Sequence, residues 1–167
     1  PFPTDFSLKV LEMEDLQRYT WLVERVNQLE GLLSNGHLGV IMVNNNKACV
    51  GYCFVGKNRA RPSHIHKIPK NAVWIHYWRV KDDYQGMGLG RQILAGTVSF
   101  VQERWGLVDV YIDTSEDNIP SRINQMRLGF FEQGVYYSIR LGTKRVPSLH
   151  FQWGVWLRNK RHSNLEI

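Results

Sequence analysis

The sequence predicts an α/β domain of the α+β kind: a mixed, mostly antiparallel sheet of about seven strands flanked by helices, with one parallel crossover. Three observations carry that expectation. Strand-like apolar runs and helical stripes follow one another as strand, helix or helices, three strands, helix, strand, helix, two strands. Two of the runs are joined as a hairpin, and a third passes straight into a helix through a glycine turn. With 167 residues and 43% apolar content, the chain can bury a real core, and residues 1–167 are expected to form one domain with 158–167 as a flexible tail.

Phe6 to Val10 alternates as a first strand. Asp15 can cap a helix whose apolar residues Leu16, Tyr19, Leu22, Val23, Val26 and Leu29 share a face, and this helix continues or breaks near Gly31. Leu38 to Val43 and Ala48 to Val55 flank Asn44-Asn45-Asn46-Lys47, residues that tolerate left-handed backbone, and so read as a hairpin. Gly56 to Asn71 lacks periodicity and mixes Gly, Pro, Arg, Lys and His, the composition of a long basic loop. Ala72 to Val80 is aromatic and β-branched, hence a strand. Alternation along it sets Trp74, His76, Trp78 and Val80 on one face and Ile75, Tyr77 and Arg79 on the other. The following helix carries Leu89, Ile93, Leu94, Thr97, Val98, Val101 and Trp105 as its stripe and stops before Gly106. Val108 to Asp113 is the next strand, and Pro120 suits the first turn of a short helix that ends at Gly129. Phe130 to Ile139 and Leu149 to Leu157 complete the sheet, linked through Lys144 to Pro147.

Composition narrows the function classes. Cys49 and Cys53 are expected on one strand face roughly 13 Å apart, too far to bridge. With no third cysteine there is neither a disulfide framework nor a Cys-based zinc site, and buried, inert thiols fit a reducing, cytoplasmic setting. His64 and His66 have no carboxylate or cysteine beside them, so no metal is expected there. No run of about 18 apolar residues is present to span a bilayer, and no membrane partner is expected. The net charge of +6 attracts polyanions: nucleic acid, an acidic protein, anionic lipid or a phosphate-rich cofactor. No RNA-binding signature accompanies the charge, and the glycine turn makes the cofactor the economical choice.

That turn is Gln85-Gly86-Met87-Gly88-Leu89-Gly90. Its glycines leave backbone N–H groups unobstructed, and the helix that begins there adds its positive dipole end, a combination suited to a diphosphate. A Walker-type loop would need Gly-Lys followed by Ser or Thr, which is absent, and the antiparallel hairpin before the turn does not fit a dinucleotide fold.

The turn resembles the Gln/Arg-x-x-Gly-x-Gly/Ala acyl-CoA signature of the GNAT superfamily of N-acetyltransferases, with Val80 at that superfamily's strand-end position. Asn118-Ile119-Pro120 through Leu128-Gly129-Phe130 is similar to its next motif, an Asn followed eleven residues later by Gly-Phe. The resemblance implies a sheet splayed between the fourth and fifth strands, with acetyl-CoA as cosubstrate in the splay. Its pyrophosphate would lie on the amides of Gln85, Gly86, Met87, Gly88, Leu89 and Gly90, and its pantetheine along the backbone near Trp78 and Val80. Arg91 would supply a cation near the phosphates, the alternative being a solvated first-turn residue. Asn118 would bind the pantetheine arm, the alternative being a turn or helix-capping residue.

Acetyl transfer needs a neutral amine, and an amine of pKa about 10.4 is mostly protonated at neutral pH, so a general base is useful. His76 is the candidate, with an unperturbed pKa near 6.5 and a position that resembles a strand histidine serving as base in arylalkylamine acetyltransferases. A hydrogen-bonded structural histidine is the alternative. Many relatives place a tyrosine four residues before Gly-Phe to protonate the departing thiolate, but Gln125 stands there in this chain. Tyr111, Tyr84, Tyr136 and Tyr137 are candidate substitutes, each also explicable as packing; otherwise backbone dipoles stabilise the thiolate and water protonates it. Trp21, Trp74, Trp78, Trp153 and Trp156 are available to wall an acceptor site, and the basic loop from Lys57 to Lys70 favours an acidic or phosphate-bearing acceptor. The implied reaction is direct attack of a primary amine on the thioester in a ternary complex, by a monomer or homodimer. Two rivals stand beside it: a non-catalytic CoA-sensing or protein-interaction module of the same fold, and an RNA-associated acyltransferase.

Overall fold

The computed structural model describes residues 5–23, 25–57, 69, 71–143 and 146–159. Its strands are β1 (Phe6–Val10), β2 (Leu38–Asn44), β3 (Cys49–Lys57), β4 (Val73–Val80), β5 (Val110–Ser115), β6 (Phe130–Thr143) and β7 (Val146–Asn159). Its helices are α1 (Asp15–Arg18), α2 (Thr20–Val23), α3 (Val26–Ser34), α4 (Leu89–Trp105) and α5 (Ile119–Arg127). The strands form one sheet in the order β1-β2-β3-β4-β5-β7-β6, antiparallel except for the β4–β5 pair, which α4 connects as a crossover. This is the expected mixed, mostly antiparallel sheet.

Both faces of the sheet are covered. On one face, Ile93, Leu94, Val98 and Val101 of α4 pack on Val40, Cys53, Val55, Val73, Ile75 and Ile112. On the other, Leu16, Tyr19, Leu22 and Leu29 from the short helices pack on Ile41, Tyr52 and Phe54. The single helix expected from Asp15 is three short ones. It breaks at Tyr19, whose ψ of 106° is extended, and not near Gly31, which lies inside α3. Asp15 does not cap either: its buried carboxylate accepts from Lys9 Nζ at 2.8 Å, and Glu14 takes the cap position.

Two bulges change which residues share a face. In the β2–β3 pair, Met42 opposes Gly51 while Val43 opposes Cys49, so Val50 is extra. Cys49 therefore joins the α1–α3 face and Cys53 the α4 face, correcting the expectation that both lie on one side. In the β3–β4 pair, Tyr52 opposes Arg79 and Phe54 opposes His76, leaving one residue on β3 against two on β4. Tyr77 takes up the slack with a φ of +51°, a left-handed conformation costly for a bulky side chain. Past this point the alternation reverses. Trp78 and Val80 pack on the α4 face with Val73 and Ile75, whereas Trp74 stacks on Tyr111 across the sheet (centroids 6.2 Å, planes 7° apart). The expected common face for Trp74, His76, Trp78 and Val80 does not exist.

The last two strands are longer than expected, and β7 takes in Arg158 and Asn159 at the start of the expected tail. Arg158 is held there by an ion pair with Asp109, just before β5. Residues 160–167, and most of the basic loop with His64 and His66, lie outside the described residues. Among the described residues, no helix is long and apolar enough to cross a membrane.

Candidate active site

The parallel strands stay paired for three residues only, Val73 with Val110, Trp74 with Tyr111 and Ile75 with Ile112. β5 continues by pairing Asp113, Thr114 and Ser115 with β7 alone, while β4 runs on to Val80 beside β3 alone. The backbone groups of residues 76–80 that face β5 therefore have no strand partner, and a parted parallel pair is an edge that a ligand can occupy. A cavity of about 240 Å³ fills the gap. Residues 75–78 line it from β4 and residues 112–114 from β5, and Asn118 and Ser121 of the α5 start close one end.

At the end of β4, a single 3-10 turn, Asp82–Tyr84, feeds the glycine segment. Gly86 and Gly88 have φ of +80° and +77°, and a Cβ on either would meet open space, so their conformation is what demands glycine. Gly88 is the N-cap of the 17-residue helix α4, so unpaired N–H groups and the positive dipole end sit beside the parted strands. Gly90 serves another need. A Cβ there would lie 3.3 Å from Trp78 Cζ2, and the Trp78 indole N–H donates to the Gly90 carbonyl at 3.1 Å, locking turn to strand. Leu89 is buried in the core, Met87 is exposed, and the Gln85 amide donates to Asp82 Oδ1 at 2.8 Å. Arg91 is exposed on the first turn of α4.

His76 sits on the cavity wall just before the bulge, with its Nε2 buried and unpartnered. Its ring is stacked on Tyr77 (5.5 Å, 20°) and lies 5.0 Å from the ring of His37, the residue before β2. Burial, with the His37 charge second, pushes the His76 pKa down to about 4. The imidazole is thus neutral across the physiological range and a weak proton acceptor. Burial lowers the His37 pKa as well, while the Leu32 carbonyl, which accepts the His37 backbone N–H at 3.1 Å, pulls the other way; both His37 ring nitrogens are buried without a hydrogen-bond partner. Sequence reasoning missed His37, because nothing local marks it: only the sheet register brings it to His76.

A family model for the acetyltransferase (GNAT) family matches residues 7–130, which hold the parted strands, the glycine turn and both motifs. The chain belongs to the GNAT family. A search of curated proteins finds no match. Solved structures of GNAT acetyltransferases share the fold at low identity. A protein from Acinetobacter baylyi assigned as an acetyltransferase is 15% identical over 97% of this chain and 96% of its own, with a TM-score of 0.70. The yncA protein of Salmonella typhimurium, solved with its cofactor acetyl-CoA, is 15% identical over 97% of each chain, with a TM-score of 0.67. A ribosomal-protein-alanine N-acetyltransferase from Brucella melitensis is 17% identical over 92% of this chain and 99% of its own, with a TM-score of 0.66.

Within this GNAT chain, the remaining expected residues divide between cavity and core. Asn118 lines the cavity and caps α5, its Oδ1 accepting the Ser121 N–H at 3.3 Å, which is the helix-capping alternative expected for it. Tyr111 does not line the cavity: it is buried between Trp74 and the Arg158 guanidinium, and burial raises its pKa. The Tyr84 hydroxyl accepts from Asn44 Nδ2 at 3.1 Å and is tied to the far end of the hairpin. The side chains of Tyr136, Tyr137, Trp153 and Trp156 lie outside the described ones. Gln125 is fully buried, with Oε1 unpartnered and Nε2 reaching Ser121 Oγ at 3.5 Å. Ser121, overlooked in the sequence, brings the one hydroxyl of α5 to the cavity. Burial pushes the Cys49 and Cys53 thiols up to about 12, which leaves neither as a nucleophile. Among the described residues, no three His, Cys, Asp or Glu side chains gather where they could hold a metal.

Proposed function

We propose that the chain moves an acetyl group from acetyl-CoA to a primary amine by direct attack in a ternary complex. The observation that carries this reading is the parting of β4 from β5 after Ile75 and Ile112, with a cavity between them whose wall includes Trp78, the residue hydrogen-bonded to Gly90 of the glycine turn. Acetyl-CoA supplies a thioester whose acyl carbon accepts the amine. The rest belongs to the chain. The amides from Gln85 to Gly90 and the dipole of α4 suit a pyrophosphate, with the Arg91 cation one step into the helix. The unpaired backbone near Trp78 and Val80 suits the amides of a pantetheine arm, and Asn118 keeps its side-chain N–H donors for the same arm.

His76, neutral and facing the cavity, accepts the proton that the amine loses as the new C–N bond forms; its low basicity favours action late in bond formation, when that proton has become acidic. Gln125 cannot give up a proton, so the departing thiolate receives a hydrogen bond from the Ser121 hydroxyl and its proton from water. Cytoplasmic placement goes with free thiols and a CoA substrate.

The test is mass spectrometry of acetyl-CoA reactions with pooled amines and peptides, alongside melting curves with acetyl-CoA. Acetylated product and a raised melting temperature are expected, and no melting shift at millimolar acetyl-CoA would overturn the reading. Gln125 favours one rival, a non-catalytic CoA-binding module of the same fold. Single-turnover experiments separate the two, since a sensor binds acetyl-CoA without consuming it.

A further inference from the structure

We propose that the acceptor amine carries an anionic group at its far end, received between Arg25 and Arg79 on the sheet face that α1–α3 cover. This rests on the acetyl-transfer reading above and names the class of substrate for the same site.

Past the Tyr77 bulge, β4 turns Arg79 onto this face, where its guanidinium lies over the Trp21 ring at 6.0 Å from the centroid. Trp21 in turn rests against Tyr52 (5.2 Å, 45°), the residue paired with Arg79 in register. Arg25 arrives from the start of α3. Burial raises the Tyr52 pKa, and the charges of Arg25 and Arg79 both draw it down. Arg79 thus meets an aromatic wall of Trp21 and Tyr52, with Arg25 as a second cation at the start of α3.

The carboxylates nearby do not neutralise them. Asp82 lies 3.7 Å from Arg79, but both side chains are exposed, and Asp82 also accepts from Gln85. An exposed pair of this kind contributes at most about 1 kcal/mol, so a ligand anion can displace it. Among the described residues, no carboxylate pairs with Arg25.

Spacing then selects the ligand. His76 lines the cavity and opposes Phe54, while Arg79 opposes Tyr52, two residues along β3, so the two stand about 6.6 Å apart at 3.3 Å per residue. An amine at His76 and an anion at Arg79 therefore belong to one molecule with an apolar or aromatic body of several bonds between them. A polyamine, cationic at both ends, is disfavoured by charge, and a bare α-amino carboxylate is too short.

The probes are 4-(aminomethyl)benzoate, its neutral amide and 1,4-bis(aminomethyl)benzene, titrated calorimetrically into the full chain saturated with CoA. The carboxylate should bind about tenfold more tightly than the amide, and the bis-amine most weakly. That preference should shrink between 50 and 300 mM salt. Arg79→Gln and Arg25→Gln should each bring the carboxylate-to-amide ratio toward one, and Arg104→Gln, on the last turn of α4, should leave it intact. Equal binding of the three, tightest binding of the bis-amine, or no binding of any would overturn the proposal. A preserved preference for the carboxylate without any acetylation would instead sink the acetyl-transfer reading and leave anion recognition standing.

Discussion

Replacing His76 with Gln isolates the energetics of the imidazole on the cavity wall. Burial, aided by His37, lowers its pKa from 6.5 to about 4. Between those values the unfolded chain binds a proton that the folded chain refuses, so stability falls as pH drops through the window. At about 1.4 kcal/mol per pKa unit, the full loss is about 3 kcal/mol below pH 4, of which about 2 kcal/mol has already gone at pH 5. Urea unfolding at pH 7.5 and pH 5.0 reads this directly. The natural chain should lose about 2 kcal/mol more over the interval than His76→Gln, whose amide does not titrate. Equal losses would refute the reasoning, because they would mean that the ring is protonated in the folded chain as easily as outside it. His37 shifts in the same direction, so His37→Gln should also flatten the interval.

Other consequences can be checked as readily. Gly88→Ala meets no clash but must hold a φ of +77°, which costs about 1–2 kcal/mol in chemical denaturation and should weaken acetyl-CoA binding in melting-shift titrations. Gly51→Ala sets a methyl 2.3 Å from Ile93 Cδ1 and 3.1 Å from the Arg79 carbonyl; the first can rotate away, the second cannot, and a destabilisation of about 1–3 kcal/mol should appear in the same assay. Gln125→Leu removes a buried, unpartnered oxygen, so its urea midpoint should match or exceed that of the natural chain. Ser121→Ala should lower kcat with little change in the KM for acetyl-CoA, if the hydroxyl steadies the leaving thiolate. A thiol reagent should label neither Cys49 nor Cys53 until denaturant is added.

What the sequence disclosed, it disclosed through local chemistry. The hairpin after Val43 follows from residues that tolerate left-handed backbone, and Lys47 does adopt a φ of +58°. The glycine turn follows from three glycines at alternate positions, two of which have positive φ. Most misread features depended on a neighbour distant in the chain. Counting in twos along Ala72 to Val80 misassigned Trp78 and Val80, because the Tyr77 bulge exists only against β3. The same counting misplaced Cys49 relative to Cys53, because Val50 is extra only against β2. His37 becomes a neighbour of His76 through the register of three strands, although the two stand 39 positions apart in sequence. Tyr19 interrupts a helical stripe that is periodic on paper, under the pull of a core that wants three short segments.

The extra residue at Tyr77 acts on β4 as a frameshift acts on a message. Upstream of it, odd-numbered residues face α4; downstream, even-numbered ones do. One strand can thereby deliver Trp78 to the face that α4 covers and, within three positions, His76 and Arg79 to the opposite face. Deleting any single residue between 76 and 78 would leave every other side chain in the strand with its identity and give half of them a new address. Such a deletion would cost this strand its two differently furnished faces well before it cost the sheet its hydrogen bonds.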